Sequence, residues 1–330
     1  MTRLGGCSIV LTVFALGLPA AVAQGVSASP QLQVRLTASE PVYKRGSAGG
    51  VQFTLTNGTS QTLIMSTPNP WSIYRGSQAV FSPISIMVLG QIAPGKSKTW
   101  SWNMKDMSGK LVPPGSYTIK VGQLWLGNDQ FARSITVAVT PTGKIAGSSP
   151  FPLALDNEWG YVAGPGLFGG PGSYSTTTVV SNSGTWYSIK NVVGKDRWAK
   201  LSGGSKPTLF VMAKVGGDGV MSVPFFRFNR PLGYTYTVLG DALAGAKLKV
   251  GSKNDTLQTP VGTFKNCYRL DVQYPLNAFV GVGYKSFWFA PGVGLVGYNK
   301  FNPEGPVNFR LESAKIKGSD GKLYLLKGNH

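Results

Sequence analysis

The stretch YTIKVGQLWLGNDQFARSITVAV, residues 117–139, contains the clearest structural pattern in the chain. Apolar and polar residues alternate on both sides of Gly127-Asn128-Asp129-Gln130. A short Gly- and Asn-containing connection between two alternating runs is typical of a β-hairpin. The sequence therefore predicts two antiparallel strands, residues 117–126 and 131–139.

Shorter alternating runs precede this hairpin, separated by Gly and Pro. They predict further strands at residues 32–38, 51–55, 62–66, 71–74, 84–89 and 96–102. Eight strands in about 110 residues is the spacing of an immunoglobulin-like β-sandwich, which we assign to residues 31–140. Residues 141–150 are rich in Pro, Gly and Ser and are predicted to be a linker.

The second half, residues 151–330, has the same strand character. Its predicted strands are residues 176–181, 185–192, 208–214, 220–228, 234–239, 247–251, 262–274, 284–290, 294–298 and 308–316. Almost no segment has helical periodicity. The predicted fold class is therefore all-β, with the sandwich followed by a curved antiparallel sheet or partial β-barrel.

The N-terminus has the pattern of a secretory signal peptide. Arg3 precedes an apolar run at residues 9–18, and Ala21 and Ala23 form an A-x-A cleavage motif. We predict a signal peptide at residues 1–23 and a mature protein in the periplasm, cell envelope or extracellular space. An uncleaved anchor is the alternative, although the run is shorter than the ~20 residues that a membrane span needs.

Residues that carry most enzyme chemistry are scarce. The single histidine, His330, is the last residue, and after signal cleavage Cys267 is the only cysteine. This excludes Ser-His-Asp and Cys-His nucleophiles and an ordinary zinc site, and no cofactor is predicted. Cys267 lies in an alternating stretch and is predicted to be a buried, inert thiol.

Paired carboxylates are the remaining route to catalysis. Asp156 and Glu158 are two residues apart on a predicted strand, so they are expected on one face about 7 Å apart. That separation would suit an inverting glycosidase. Because such pairs are common by chance, we predict a non-enzymatic protein.

The net charge is +19, from 32 Lys and Arg and 13 Asp and Glu residues. The excess is spread over both halves, which favours anionic partners such as envelope polymers, lipid headgroups or acidic proteins. A surface charge that only aids solubility is the alternative. No recognition helix, zinc finger or RNA-binding strand motif is present, so nucleic acid is not an expected partner.

Several motifs in the first half occur in the order found in a known family. They are Tyr43-Lys-Arg-Gly46, Phe53-Thr-Leu-Thr-Asn57, Ala93-Pro-Gly-Lys-Ser97, Trp100-Ser-Trp102, Asp106 and Val112-Pro-Pro-Gly-Ser-Tyr-Thr118. Over about residues 31–125 the chain resembles the BsuPI-type intracellular proteinase inhibitor family. The resemblance implies a sandwich fold and a protein-binding role, with a protease as the expected partner. Given the signal peptide, that protease would lie outside the cytoplasm.

No inhibitory residue can be transferred from the family motif. Exposed loops on a rigid scaffold are where binding residues are expected, and the candidate loops are residues 67–71, 75–78 and 103–110. The candidate partner-binding residues in and beside them are Trp71, Tyr74, Arg75, Asn103, Lys105, Asp106 and Lys110.

The second half resembles an uncharacterised domain of bacterial envelope proteins. The motifs are Phe151-Pro-Leu with Asn157-Glu-Trp159, Thr259-Pro-Val-Gly-Thr-Phe264 and, over residues 287–296, FWFAPGVGLV. The resemblance implies a curved sheet of the lipoprotein-carrier type. Eight rings could line a cavity for a lipid or polymer, or fill an ordinary core: Phe225, Phe226, Phe228, Tyr234, Tyr236, Phe287, Trp288 and Phe289. The alternative function is therefore envelope lipid or polymer binding, with the sandwich as an accessory domain.

Overall fold

The computed structural model describes residues 33–164, 173–214, 219–240, 243–275, 283–303 and 305–329. Almost all of its regular structure is β-strand, which confirms the predicted all-β class. No described helix is long and apolar enough to cross a membrane. The predicted signal peptide and His330 lie outside the described residues.

Ten strands form the first half. They are β1 Val34–Ala38, β2 Val42–Lys44, β3 Val51–Asn57, β4 Leu63–Met65, β5 Trp71–Arg75, β6 Gln78–Phe81, β7 Gly90–Ile92, β8 Ser97–Trp102, β9 Gly115–Leu126 and β10 Asp129–Thr140. One sheet has the order β1-β3-β8. The other contains β6-β5-β9-β10, with β4 and β7 extending from β9 and β2 parallel to β10.

The alternating residues of both sheets point into one shared core. Phe53 of β3 meets Trp71 of β5 edge to face, with ring centroids 5.1 Å apart. Trp102 of β8 packs against Tyr117 of β9 with the rings tilted and their centroids 5.3 Å apart. The first half is therefore a two-layer sandwich in which aromatic pairs join the layers.

Thirteen further strands form the second half. They are β11 Glu158–Ala163, β12 Tyr174–Ser183, β13 Trp186–Val192, β14 Lys195–Leu201, β15 Thr208–Lys214, β16 Val220–Arg227, β17 Thr235–Thr237, β18 Lys247–Thr259, β19 Gly262–Gln273, β20 Gly283–Ala290, β21 Gly294–Asn302, β22 Gly305–Lys317 and β23 Leu323–Lys327. Strands β11 to β16 pair in sequence order, and so do β17 to β22. The pairing of β11 with β22 joins the two series, and within the described residues the sheet remains open.

The two halves share a continuous set of contacts. Strand β23 pairs with β22 and also meets β10 at Thr136 and Lys327. The backbone N–H of Leu325 donates to the Ser116 hydroxyl at 2.6 Å. An ion pair of 2.8 Å joins Lys265 to Glu40. The sandwich is thus attached along one edge to the second half.

The segment predicted as a linker is packed against the second half. Ile145 is buried, and the N–H of Ala146 donates to the carbonyl of Gly292 at 3.1 Å. The N–H of Gly292 in turn donates to the carbonyl of Ser149 at 2.7 Å. Gly292 has φ +77°, and a Cβ there would lie 2.7 Å from the Gly147 carbonyl, so this close approach requires glycine. The domain boundaries themselves stay a prediction.

The hairpin at residues 117–139 forms as predicted. Leu126 pairs with Asp129 across a two-residue turn, and Gly127 adopts φ +58°. The start of β9 is held by a tyrosine corner, in which the Tyr117 hydroxyl donates to the Pro113 carbonyl at 2.5 Å. This bond gives a structural reason for the spacing of the Val112-Pro-Pro-Gly-Ser-Tyr-Thr118 motif.

Candidate partner-binding site

An exposed apolar segment connects β6 to β7. We call residues 82–89, Ser-Pro-Ile-Ser-Ile-Met-Val-Leu, the apolar loop. Ile84 is 98% exposed and Met87 92% exposed, and Ile86, Val88 and Leu89 are also mostly exposed. The prediction of a strand at residues 84–89 is wrong, because this segment takes no part in the strand pairing of the described chain. Its side chains therefore project to solvent.

Contacts at both ends anchor the apolar loop to the sandwich. The Ser82 hydroxyl donates to the Ser72 hydroxyl of β5 at 2.8 Å. At the other end, a Cβ on Gly90 would lie 2.7 Å from the Met65 side chain and 2.9 Å from the Thr67 carbonyl. Only glycine permits this close packing, so the backbone at the start of β7 is held in one position.

The loop of residues 103–110 lies beside the apolar loop. The N–H of Met107 donates to the Val80 carbonyl at 3.1 Å, and the N–H of Ser82 contacts the Met107 sulfur at 3.4 Å. The Met107 side chain is 69% exposed. Met107 thus lies beside the start of the apolar loop, and we call the apolar loop and Met107 together the apolar surface.

Asp106 gives the 103–110 loop its shape. Its Oδ1 accepts hydrogen bonds from the N–H of Ser108 at 2.9 Å, the Ser108 hydroxyl at 2.7 Å and the N–H of Lys110 at 3.0 Å. These bonds, led by that of Ser108, lower the pKa of the Asp106 carboxyl. A turn closed in this way holds Met107 in place with little loss of entropy on binding.

The electrostatic surroundings of the apolar surface are basic. Residues 31–140 contain ten Lys and Arg residues and three acidic residues, of which Asp106 is the one in the loops that form the apolar surface. Lys105 and Lys110 flank the turn and are exposed, and Arg45 donates to the carbonyls of Leu111 and Val112 at its base. Since the one carboxylate is engaged within its own turn, the surface favours a partner of negative charge.

The predicted partner-binding residues fall into two groups. Trp71 is a correction: its ring is buried and lies 5.5 Å from the Phe81 ring, because Trp71 and Ile73 of β5 point into the core. Tyr74 is half-buried on the same strand, and Arg75 is exposed at the β5–β6 turn. Asn103, Lys105 and Lys110 are exposed and Asp106 is half-buried, all within the loop that carries Met107.

The apolar loop itself was absent from the predicted set. A sequence signal for it existed, since Ile86-Met87-Val88-Leu89 is an uninterrupted apolar run between Pro83 and Gly90. Strand propensity favoured a buried interpretation of this run. In the described structure the run instead connects β6 to β7 without pairing with a strand.

The aromatic rings of the second half form a packed core. Phe225, Phe226, Phe228, Phe287 and Phe289 are all buried, and the Phe226 ring lies 4.9 Å from that of Phe289 and 5.1 Å from that of Phe287. Two clefts of about 240 and 460 Å³ occur in the described structure, but neither is lined by the predicted rings. The rings therefore fill the core, which removes support for an internal lipid cavity.

The carboxylate pair is not arranged as expected. Asp156 lies in a turn with φ +66°, whereas Glu158 is the first residue of β11. The expectation that they share one strand face is wrong. Among the described residues, no group of three or more His, Cys, Asp or Glu side chains is placed to hold a metal ion.

Cys267 is expected to be unreactive in the folded protein. It is buried, and burial raises the pKa of its thiol to about 12. In a chain carrying Cys7→Ser, a thiol reagent at pH 8 should therefore modify Cys267 only after urea unfolds the protein. The contribution of this neutral thiol to the free energy of unfolding is fully present below the pKa of the thiol in the unfolded chain, about 8.5. It declines as the pH rises from there towards 12, the pKa of the thiol in the folded protein. Complete modification within minutes under native conditions would contradict this burial.

Comparison with known proteins gives two similar solved structures. No family model and no curated protein matches the chain. One structure, a protein described as a lipoprotein from Parabacteroides distasonis, is 16% identical, with a TM-score of 0.30, and covers 51% of this chain and 99% of its own. Another, from Bacteroides fragilis, is described as an exported protein with a YmcC-like fold. It is 15% identical, has a TM-score of 0.29 and covers 52% of this chain and 99% of its own.

Proposed function

We propose that this chain is an exported, non-enzymatic binding protein that docks a protein partner through the apolar surface. The observation that carries the proposal is the exposure of Ile84 and Met87 on a loop anchored at both ends. The expected partner is a protease outside the cytoplasm. Its contact region would be concave and negatively charged.

The energetics of the apolar surface support a docking role. Burying one aliphatic side chain of this size contributes about 1.5–3 kcal/mol. Three or four such side chains at the centre of an interface would supply most of the binding free energy of a stable complex. A soluble protein gains nothing by exposing them, since contiguous apolar patches promote aggregation.

The shape of the apolar surface also suits a protease. A protruding segment fixed at Ser82 and Gly90 can enter a cleft without losing much conformational freedom. The predicted loops at residues 75–78 and 103–110 lie in the same half, and the second of them contacts the apolar loop directly. These features agree with the resemblance of residues 31–125 to a proteinase inhibitor family.

The test compares the wild type with the double variant Ile84→Asp/Met87→Asp. Inhibition and binding of subtilisin, trypsin, chymotrypsin and a periplasmic protease extract are measured. We expect the variant to weaken binding at least tenfold, which corresponds to about 1.4 kcal/mol. Its circular dichroism should be unchanged, because both side chains are exposed.

The matched control is Leu232→Asp/Leu239→Asp, which places the same two charges at exposed leucines of the second half. This control should bind as the wild type does. If no protease binds the wild type, or if Ile84→Asp/Met87→Asp and Leu232→Asp/Leu239→Asp behave alike, protease docking is wrong.

A second candidate function is attachment to envelope lipid through the same surface. The excess of ten basic over three acidic residues within residues 31–140 favours it, because basic residues attract anionic headgroups. Vesicles of phosphatidylglycerol, compared with vesicles of phosphatidylcholine, distinguish it from protease docking. Co-sedimentation with the anionic vesicles alone, lost in Ile84→Asp/Met87→Asp, would favour lipid.

A further inference from the structure

A second unusual surface lies on the other half, on the outer face of β13 to β16. On these strands the small aliphatic residues Ile189, Ala199 and Val211 point into the core and are buried. The residues that alternate with them point outwards and include large rings. We call the outer side chains the aromatic–basic face: Trp186, Ser188, Lys190, Asp196, Trp198, Lys200, Phe210 and Met212.

The strand register places these side chains in two adjacent rows. In one row, Lys200 is opposite Phe210, and Phe210 is opposite Pro224. The Lys200 Nζ also lies 5.2 Å from the centre of the Trp186 ring. In the other row, Ser188 is opposite Trp198. Neighbours in a row are about 5 Å apart and the rows are about 7 Å apart.

The rings on this face are accessible. Trp198 is 41% exposed, and Trp186 and Phe210 are half-buried among their neighbours. Large aromatic side chains usually point into a core, as Trp159 does in the same half. Two tryptophans and a phenylalanine on an outer sheet face therefore indicate a binding surface.

Basic residues outnumber acidic residues on and around the aromatic–basic face. Residues 160–240 contain eight Lys and Arg residues and two acidic residues. Lys190 is exposed and Lys200 half-buried on the face itself. Asp196 is the acidic residue of β14, and its Oδ1 accepts a hydrogen bond from the N–H of Asn191 at 2.9 Å. The face thus combines ring platforms with cations.

We propose that the aromatic–basic face binds an anionic glycan. Sugar rings would stack on Trp198 and Trp186, and their carboxylate or phosphate groups would pair with Lys200 and Lys190. A second copy of this chain is disfavoured because two basic faces repel each other. A bilayer is disfavoured because these rings are set within a sheet face and do not protrude from it.

This site is independent of the apolar surface, since it uses different strands in the other half of the chain. A single-stranded nucleic acid would also be attracted by rings and lysines. The predicted signal peptide favours a glycan, because it directs the mature chain to a compartment rich in anionic envelope polymers.

The experiment measures binding of the full mature chain to alginate, a polyuronate, by calorimetry and by tryptophan fluorescence. Neutral dextran and a single-stranded DNA oligonucleotide are the comparison ligands. We expect alginate to bind, dextran not to bind, and affinity for alginate to decrease with added NaCl. Trp198→Ala should weaken alginate binding about fivefold, the scale of one lost ring contact, and Trp198→Phe should restore part of it.

Lys200→Gln should reduce alginate binding, whereas Lys253→Gln, at an exposed position on β18, should leave it unchanged. Equal effects of the two lysine variants would show non-specific charge attraction and overturn the proposal. So would equal binding of dextran. Tighter binding of the oligonucleotide than of alginate, lost in Trp198→Ala, would assign the face to nucleic acid instead.

Discussion

Replacing Trp159 with alanine is expected to lower the free energy of unfolding by about 3–5 kcal/mol, the usual cost of deleting a buried tryptophan. Trp159 is fully buried in β11, between Thr177 of β12 and Ala314 of β22. Its ring lies 5.4 Å from that of Phe151. Its indole N–H donates to the Val293 carbonyl at 2.6 Å. The side chain therefore holds together the place where the two series of strands meet.

Urea unfolding followed by circular dichroism provides the measurement. Trp159→Phe is the informative control, because it keeps a ring but leaves the Val293 carbonyl without its donor. It should cost less than the alanine variant, about 1–3 kcal/mol. An alanine variant that unfolds at the wild-type urea concentration would show that β11 does not stabilise the second half.

The sequence predicted the strands whose alternation is complete. In β3, Val51, Phe53 and Leu55 alternate with polar residues and are buried. In β9 the same alternation covers residues 115–121, and after an irregularity at Gln123 it resumes with Leu124 and Leu126 buried. Such a period-two pattern is a local signal, so it needs no knowledge of the partner strand. The hairpin turn is local in the same sense.

Strand β14 was not predicted, for a physical reason that also hid the aromatic–basic face. In Lys195–Leu201 the buried positions are Arg197 and Ala199, whereas Trp198 is exposed. The Arg197 guanidinium stacks 4.9 Å from the Phe225 ring and donates to the Val192 carbonyl. Because an arginine faces the core and a tryptophan faces solvent, the order of apolar and polar residues is the reverse of the usual one. The sequence pattern therefore indicates neither that this segment is a strand nor which of its faces is buried.

The same limit applies to the candidate site. Trp71 was predicted to be exposed and Ile84 to Leu89 to form a strand, yet Trp71 is in the core and the aliphatic run is in solvent. The pairing of β5 with β9, which is 50 residues away in the sequence, decides which of its two sets of alternating side chains faces the core. Local sequence cannot supply that information.

Asn57 connects the fold of the sandwich to its binding surface. It is fully buried at the end of β3. Its Nδ2 donates to the carbonyls of Gln61 at 2.7 Å and Ile92 at 2.9 Å. Its Oδ1 accepts from the N–H of Thr59 at 3.1 Å and the Thr59 hydroxyl at 2.7 Å. Because Ile92 belongs to β7, one side chain fixes the strand that follows the apolar loop.

Replacing Asn57 with alanine is therefore expected to cost about 2–4 kcal/mol, since each buried group left unpaired costs about 1–3 kcal/mol. Binding of the protein partner should weaken as well, because β7 would no longer hold the apolar loop at Gly90. Urea unfolding measures the first effect and protease titration the second. The control Asn128→Ala removes an exposed amide at the β9–β10 turn and should change neither. Unchanged unfolding of Asn57→Ala would mean that the bonds of Asn57 are replaced by water, and that the apolar loop is positioned by Ser82 and Met107 alone.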